Sequence, residues 1–532
     1  MMTALRAHRA ELLALSIPML LGALVRIAPV AGAGFPVGDG GMFYVMVREI
    51  QHAGMTIPAV TAYNHADIPF AYPPLGLWLT ALLGNVLPVP LLTIFQWWPV
   101  ICSILMLPVF YLLARRLLGS WFPAVLALGA FALLPRGFEW FITGGGVTRA
   151  PGYVLALLAM YALVLGLDTG RRWSIAGAAL AAGLAILTHP NAAVVTVVSL
   201  VMLAAFRRPR RRSWATLAVV LAGAAVVSAP WWLVVLLRFG VTPLASAVST
   251  GSKLGPVVGV IVSSYRLLTF DFAGEPFLPW ITGLAAVGLA WSLARRLTVL
   301  PAWLAAILLI DANAAPTDAT IPLAMLAAVG LVQVVLPALA GAVDGARAGP
   351  GPDLLRSRPA RLTLVTLLGL TLLAALFRPI QDTSPDHVLS PDVRAAMSWA
   401  DRTMPASATF VVVTGEGWDL DAVGEWFPAL AKRSSVATVQ GYEWMGTPRW
   451  WLQHDLNADL QACATATDTC LVAWMRRYDL TAPYVFLPKG PLAGPLSATD
   501  CCSALRDTLR TAPGDTVVYD ADGATIIRLR GP

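Results

Sequence analysis

Asp39 is the residue whose type and setting are best suited to chemistry. It stands in Val37-Gly38-Asp39-Gly40-Gly41-Met42-Phe43-Tyr44, just after the first long apolar run and ahead of an amphipathic stretch, Met42 to His52. A carboxylate displayed there can accept a proton or hold a metal ion. It can equally cap a helix, since Asp favours that position and the neighbouring glycines suit a tight turn. Further along, Tyr63-Asn64-His65-Ala66-Asp67 and Phe70-Ala71-Tyr72-Pro73-Pro74-Leu75-Gly76 bring a second acid, a histidine and several aromatics into the same segment. Aromatic faces with a few polar groups suit a sugar ring, but Tyr72 and Trp78 also suit the aromatic belt of a membrane interface. His65 alone reads as a surface histidine.

The elements that must position these residues follow from composition. Of 532 residues, 57% are hydrophobic and 13% charged, too little charge to cover a soluble chain of that size. Apolar runs of spanning length recur from Glu11 to about Ile380 and then stop. They fall near 12–32, 92–113, 121–137, 150–167, 173–188, 191–206, 214–236, 279–294, 298–311, 319–340 and 361–378, giving about eleven crossings. The expected fold is a polytopic α-helical membrane domain over 1–380, followed by a soluble mixed α/β domain over 381–532.

Charge sets the orientation. The net charge of +7 lies in clusters between the apolar runs, at Arg6/Arg9, Arg115/Arg116, Arg171/Arg172, Arg207 to Arg212, Arg295/Arg296 and Arg347 to Arg361. With the N-terminus in the cytoplasm, all of them fall on the cytoplasmic side, which is the positive-inside pattern and not a nucleic-acid stripe. Leu75 to Leu87 is apolar but too short to cross, and reading it as a span would turn every later cluster outward, so it is expected to lie at the outer interface. Segments 33–91 and 238–278 and the C-terminal domain then share the extracytoplasmic face of the plasma membrane. Long loops tend to carry function, so the chemistry should face outward.

The C-terminal region shows a helix over Pro391 to Thr403 with Ser390 as its cap, and strands at Thr409–Val413, Tyr484–Leu487, Thr516–Tyr519 and Thr525–Leu529. No catalytic motif stands out there. Its four cysteines, Cys463, Cys470, Cys501 and Cys502, are disulfide candidates in an oxidising compartment, and free thiols are the alternative. An odd number of crossings puts them outside, so redox and charge agree.

The chain resembles the GT-C glycosyltransferases, most closely their aminoarabinose-transferase and protein-mannosyltransferase branches. The resemblance rests on an Asp in the first outer loop, an amphipathic helix, and Tyr72-Pro73-Pro74-Leu75-Gly76-Leu77-Trp78 before a non-spanning helix. Arg115-Arg116-Leu117-Leu118-Gly119, Thr188-His189-Pro190 and Ala229-Pro230-Trp231-Trp232 follow in order, so roughly the first 340 residues are covered. There are departures. Asp39 is followed by Gly40-Gly41 where the family often has an acidic pair, Tyr72 replaces a lysine, and no Trp-Trp-Asp signature of the oligosaccharyltransferases occurs.

The resemblance implies a membrane glycosyltransferase that takes one sugar from a polyprenyl-phosphate donor and passes it to an acceptor hydroxyl on a glycan, lipid or protein. Inversion at the anomeric carbon and Asp39 as general base are expected. A phosphate leaving at the outer surface needs positive charge or a metal ion; the need for a divalent metal stays open, with Asp39 as a potential ligand. Arg149, after Gly144-Gly145-Gly146, is the leading cation, a phosphate fork or a snorkelling arginine; Lys253 and Arg266 are further candidates. His65, Asp67 and Tyr72 are expected on the substrate side, and His189 lines the site or caps the helix that starts at Pro190. Two other readings compete: a transporter or flippase of lipid-linked sugar, for which Arg26 and Asp311 are the charges in or beside spans, and a non-catalytic assembly factor.

Overall fold

The structure is a computed structural model that describes residues 2–207, 209–250, 256–269, 274–275, 279–310, 315–344, 351–377, 388–490 and 500–530. Lys253 and Asp311 lie outside the described residues.

The chain opens with α1 (Met2–Ala31), then the short elements α2 (Gly41–His52), β1 (Val60–Thr61), β2 (Ile68–Pro69) and α3 (Leu75–Val86). Helices α4 (Leu91–Leu118), α5 (Trp121–Leu133), α6 (Gly146–Thr169), α7 (Arg172–Ile186), α8 (Pro190–Ala205) and α9 (Arg210–Phe239) follow. Then come α10 (Thr242–Thr250), α11 (Pro256–Leu268), α12 (Trp280–Ala294), α13 (Val299–Ile310) and a one-turn α14 (Ala315–Asp318). Finally α15 (Thr320–Gly330) runs through a π-turn (Leu331–Val335) into α16 (Leu336–Asp344), and α17 (Arg358–Phe377) closes the apolar part.

Over its described residues each of the eleven apolar runs is mainly helical, because lipid offers the backbone no other partner. Among the described residues, six helical segments are long and apolar enough to cross a bilayer on their own: Arg9–Ala31, Leu91–Leu118, Gly146–Thr169, Arg210–Phe239, Thr320–Gly341 and Arg358–Leu376. A seventh, Trp121–Leu133, bends by 91° into Pro135–Phe141. Helices α7, α8, α12 and α13 are apolar but shorter than the hydrocarbon core requires, as is the non-spanning α3. Arg26, fully buried in α1, donates from Nε to Ser103 Oγ at 2.9 Å and from Nη1 to the carbonyls of Gly22 and Ala132 at 2.8 and 2.7 Å. That guanidinium ties α1 to α4 and α5, a bracing role rather than a transport path.

The C-terminal region contains α18 (Pro391–Thr403), β3 (Thr409–Val412), α19 (Ala422–Leu430), β4 (Ser434–Ser435), α20 (Thr447–Gln461), α21 (Asp468–Arg477), β5 (Tyr484–Pro488), α22 (Ser503–Thr511), β6 (Thr516–Ala521) and β7 (Ala524–Arg528). Ser390 caps α18 by accepting from Val393 N–H at 3.2 Å. The five strands form one sheet in the order β4-β3-β5-β7-β6, parallel across β4, β3 and β5 and antiparallel across β5, β7 and β6. Cys463 pairs with Cys470, and Cys501 with Cys502.

The alternation of strand side chains divides the apolar residues between two cores. Val411, Val413, Val485, Leu487 and Ile527 face helices of the C-terminal region itself. Phe410, Val412, Phe486 and Ile526 face the other way, into a core shared with Phe35, Met42, Phe43 and Ile68 of the loop after α1. One face of the sheet thus packs directly on the loop that follows α1.

Candidate active site

Three segments meet at Asp39: the turn after α1, the glycines that begin α6, and the start of α19. Gly38 and Gly40 have φ of 63° and 136°, which β-carbon-bearing residues rarely adopt, so the chain can reverse direction with Asp39 at the apex. The glycine run at 144–146 serves close approach and not flexibility. Gly144 N–H donates to Val37 O at 2.8 Å, and Gly145 N–H donates to Asp39 O and Oδ1, both at 3.1 Å. A Cβ on Gly145 would run into the Asp39 carboxylate, and one on Gly144 into the Asp39 carbonyl.

Arg149, one turn into α6, extends its Nη2 to Asp39 Oδ2 at 2.5 Å. Its Nη1 donates to Trp140 O at 2.8 Å and to Thr143 Oγ1 at 3.4 Å, and its guanidinium carbon lies 4.9 Å from the centroid of the Trp140 ring. An arginine has five N–H groups; these bonds use three and leave Nε and one Nη2 hydrogen for another anion. Both partners stay partly open to solvent, with side-chain exposure of 14% for Arg149 and 20% for Asp39. Beside them is a small cleft lined by Trp140, Thr143, Trp418, Leu420, Asp421 and Glu425.

Asp39 does not cap α2. The N-cap position is Gly40, without a side-chain bond, and the Gly40 N–H is taken instead by Glu425 Oε1 at 2.9 Å. Glu425 is buried, and burial, reinforced by the Asp39 charge, pushes its carboxyl up to about 8. Burial also raises Glu443 to about 7 and Asp421 to about 6.

The other expected site residues divide. Tyr72 is buried beside the pair: its hydroxyl is 3.0 Å from Thr148 Oγ1, and its ring packs on Phe43, Trp444 and His189. His189 caps α8, with Nδ1 accepting from Asn191 N–H at 3.1 Å. Burial, then the nearby Arg149 charge, keeps it well below the usual histidine range, hence neutral and able to accept. His65 is exposed and bonds Ser434 Oγ at 2.9 Å, linking the outer loop to β4. Asp67 occupies a left-handed turn, φ 49°, ahead of β2. Arg266 is half-buried on α11, and the partners of Asp39 do not include it.

Sequence reasoning missed Glu425 and Trp426. A usable signal was present: Glu425 is the one charged residue in the otherwise apolar Ala422–Leu430, too costly to bury without a purpose. For a metal ion, the donors at Asp39 are a guanidinium and a backbone N–H rather than further acids or histidines. Among the described residues, no three His, Cys, Asp or Glu side chains come together to hold one.

Residues 71–233 match the family model described as dolichyl-phosphate-mannose-protein mannosyltransferase. No curated protein matches significantly. Among solved structures, the archaeal oligosaccharyltransferase AglB from Archaeoglobus fulgidus, in complex with an inhibitory peptide and a dolichol-phosphate, aligns at a TM-score of 0.57 with 15% identity, over 90% of this chain and 69% of its own. ArnT from Cupriavidus metallidurans, bound to undecaprenyl phosphate, aligns at 0.55 with 14% identity, over 96% of this chain and 97% of its own. Arabinofuranosyltransferase AftD from Mycobacteria aligns at 0.55 with 18% identity, over 98% of this chain and 41% of its own. The chain thus shares its fold with these three proteins over nearly its whole length, and the segment matched by the family model contains Tyr72-Pro73-Pro74 and Arg149.

Proposed function

We propose that the protein transfers a sugar from a polyprenyl-phosphate donor to an acceptor hydroxyl on the extracytoplasmic face of the plasma membrane, with inversion at the anomeric carbon. The observation that carries this reading is the pairing of Asp39 with Arg149 at the outer-loop end of the apolar helices. Neighbours of this fold were solved with a dolichol-phosphate and with undecaprenyl phosphate, which supports a donor of that class. Eleven crossings, a cytoplasmic N-terminus and an extracytoplasmic C-terminal domain belong to the same proposal, and the two disulfides agree with it.

Asp39 takes the proton of the acceptor hydroxyl. The acceptor oxygen attacks the anomeric carbon from the face opposite the phosphate, the bond from that carbon to the phosphate oxygen breaks, and polyprenyl phosphate leaves with the electron pair. Arg149 receives the charge of the departing phosphate through its remaining N–H groups, with the Trp140 face holding the guanidinium plane. Phosphate entry draws the guanidinium from Asp39 and frees the carboxylate to act as base. Tyr72 packs the floor beneath Arg149. His65 and Asp67 lie on the side of the loop nearest the C-terminal domain, where an acceptor enters.

The test is transfer by the purified full-length protein in nanodiscs, supplied with undecaprenyl-phosphate-linked pentoses and hexoses and a membrane extract as acceptor. Released undecaprenyl phosphate is the readout. Asp39→Asn keeps the shape of the side chain but removes the base, so turnover should fall by about 10²–10⁴-fold. Near-normal turnover in that variant would overturn the mechanism.

A further inference from the structure

The turn that carries Asp39 is held from the C-terminal domain, and the hold is specific. Gly38 and Gly40 adopt conformations in which the two peptide groups flanking Asp39 find no partner within the turn. Gly145 N–H meets the Asp39 carbonyl, and two consecutive residues of α19 supply the partners of Gly38 O and Gly40 N–H. Trp426 Nε1–H donates to Gly38 O at 2.9 Å, and Gly40 N–H donates to Glu425 Oε1 at 2.9 Å. The contact is tight: a Cβ on Gly41 would lie 2.5 Å from the Glu425 carbonyl oxygen. Glu425 is itself held on both ends, its carbonyl accepting from the Tyr63 hydroxyl at 2.6 Å and its Oε2 from Gln440 Nε2 at 3.1 Å. The Trp426 ring, fully buried, packs on Phe35 and Tyr44 on either side of the turn.

A domain that merely covered the site would place apolar residues here. An acid at 6% exposure in an otherwise apolar helix costs desolvation unless it is neutral or does something an apolar residue cannot. We propose that Glu425 is a positioning residue for the transfer reaction: from the C-terminal domain, it fixes the turn that aims Asp39 between acceptor and phosphate. The inference rests on the reading of Asp39 as the base. It makes the C-terminal domain part of the machinery.

The neutral form of Glu425 suits this role. Asp39 faces it from the turn, Arg149 from α6 and Tyr63 from the 3-10 turn before β2; Asp421, the cap of its own helix, lines the same cleft, and the charges of Glu443 and Asp421 act on Tyr63. A second negative charge on Glu425 would compete with the phosphate for Arg149, so activity should fall as that carboxyl ionises on the alkaline side.

The experiment measures kcat and donor KM of the full-length protein in nanodiscs across pH 6 to 9 for Glu425→Ala, Glu425→Gln, Trp426→Phe and Asp39→Asn. Glu425→Ala should lower kcat by about 10- to 100-fold with donor KM within about 3-fold, the signature of a misaimed base. Glu425→Gln keeps an oxygen for Gly40 N–H and should regain most of that loss, while lacking the alkaline decline of the wild type. Trp426→Phe keeps the ring packing, loses the bond to Gly38 O, and should lower kcat in the same sense. A folded Glu425→Ala protein with wild-type kcat, or equal losses in the Ala and Gln variants with an unchanged pH profile, overturns the proposal. If Glu425→Ala does not fold, the pH profile of Glu425→Gln and the kcat of Trp426→Phe decide. An inactive Asp39→Asn beside an unaffected Glu425→Ala sinks this inference alone; an active Asp39→Asn sinks the reading beneath it.

Discussion

Arg149 Nη2 and Asp39 Oδ2 are 2.5 Å apart across 110 residues of sequence, and the glycine that precedes α6 donates to the same carboxylate. Acid and guanidinium therefore hold each other in place before any substrate arrives. In the proposed mechanism the site is pre-set, and a donor phosphate exchanges partners with Asp39.

That exchange makes the shape of the cation matter as much as its sign. Arg149→Lys keeps the charge but loses the fork and the stacking over Trp140. Its kcat should drop by about 10²-fold and that of Arg149→Ala by about 10³-fold, as for loss of a group stabilising charge in the transition state. Transfer assays in nanodiscs read this directly. A lysine variant at wild-type rate would show that charge alone suffices.

Gly145 touches the carboxylate with its backbone, so its missing side chain is a requirement of the site. In Gly145→Ala the new methyl collides with Asp39 and should cost about 10²-fold in kcat and about 1–3 kcal/mol in stability. Gly177, on α7 with nothing within 4 Å of a Cβ, is the control. Gly177→Ala should leave activity unchanged and raise stability by about 0.5–1 kcal/mol.

Three buried acids give stability a pH dependence of stated sign. Asp421, Glu425 and Glu443 sit at about 6, 8 and 7, all above their unfolded values, so between those values and the folded ones the native state binds more protons than the unfolded chain. Stability should then fall as pH rises from about 4.5 to about 8 and level off above. Unfolding temperatures of the purified protein at pH 5.5, 7 and 8.5 test this. Glu425→Gln should flatten the upper part of the decline, and a rise in unfolding temperature over that range would contradict the burial argument.

The Cys463–Cys470 bridge closes a short loop between α20 and α21. Removing it with Cys463→Ser and Cys470→Ser together should cost about 2.5 kcal/mol, the chain-entropy value for a loop of this size. Intact-mass analysis of protein from cells, alkylated before reduction, should find both bridges formed. Full alkylation of all four cysteines without reduction would place the C-terminal domain in a reducing compartment and reverse the topology.

The sequence by itself was enough for the helices. Lipid leaves the backbone of an apolar run no partner but itself, so the eleven runs are mainly helical over their described residues, and local signals such as Ser390 and the β-branched and aromatic residues of β3, β5 and β7 are read the same way. It was also enough to single out Asp39 and Arg149, because an acid beside glycines and a cation against the charge trend stand out without neighbours. What the tertiary structure decided is what these residues touch. Nothing local says that Asp39 leaves the cap of α2 empty, that Gly145 supports its carboxylate, or that Gly40 N–H is met by Glu425, 385 residues away. An acid in a short amphipathic helix has no meaning until folding shows whether water or a peptide group faces it. The free energy of a buried charge depends on its partners, and partners are set by the packing of distant segments.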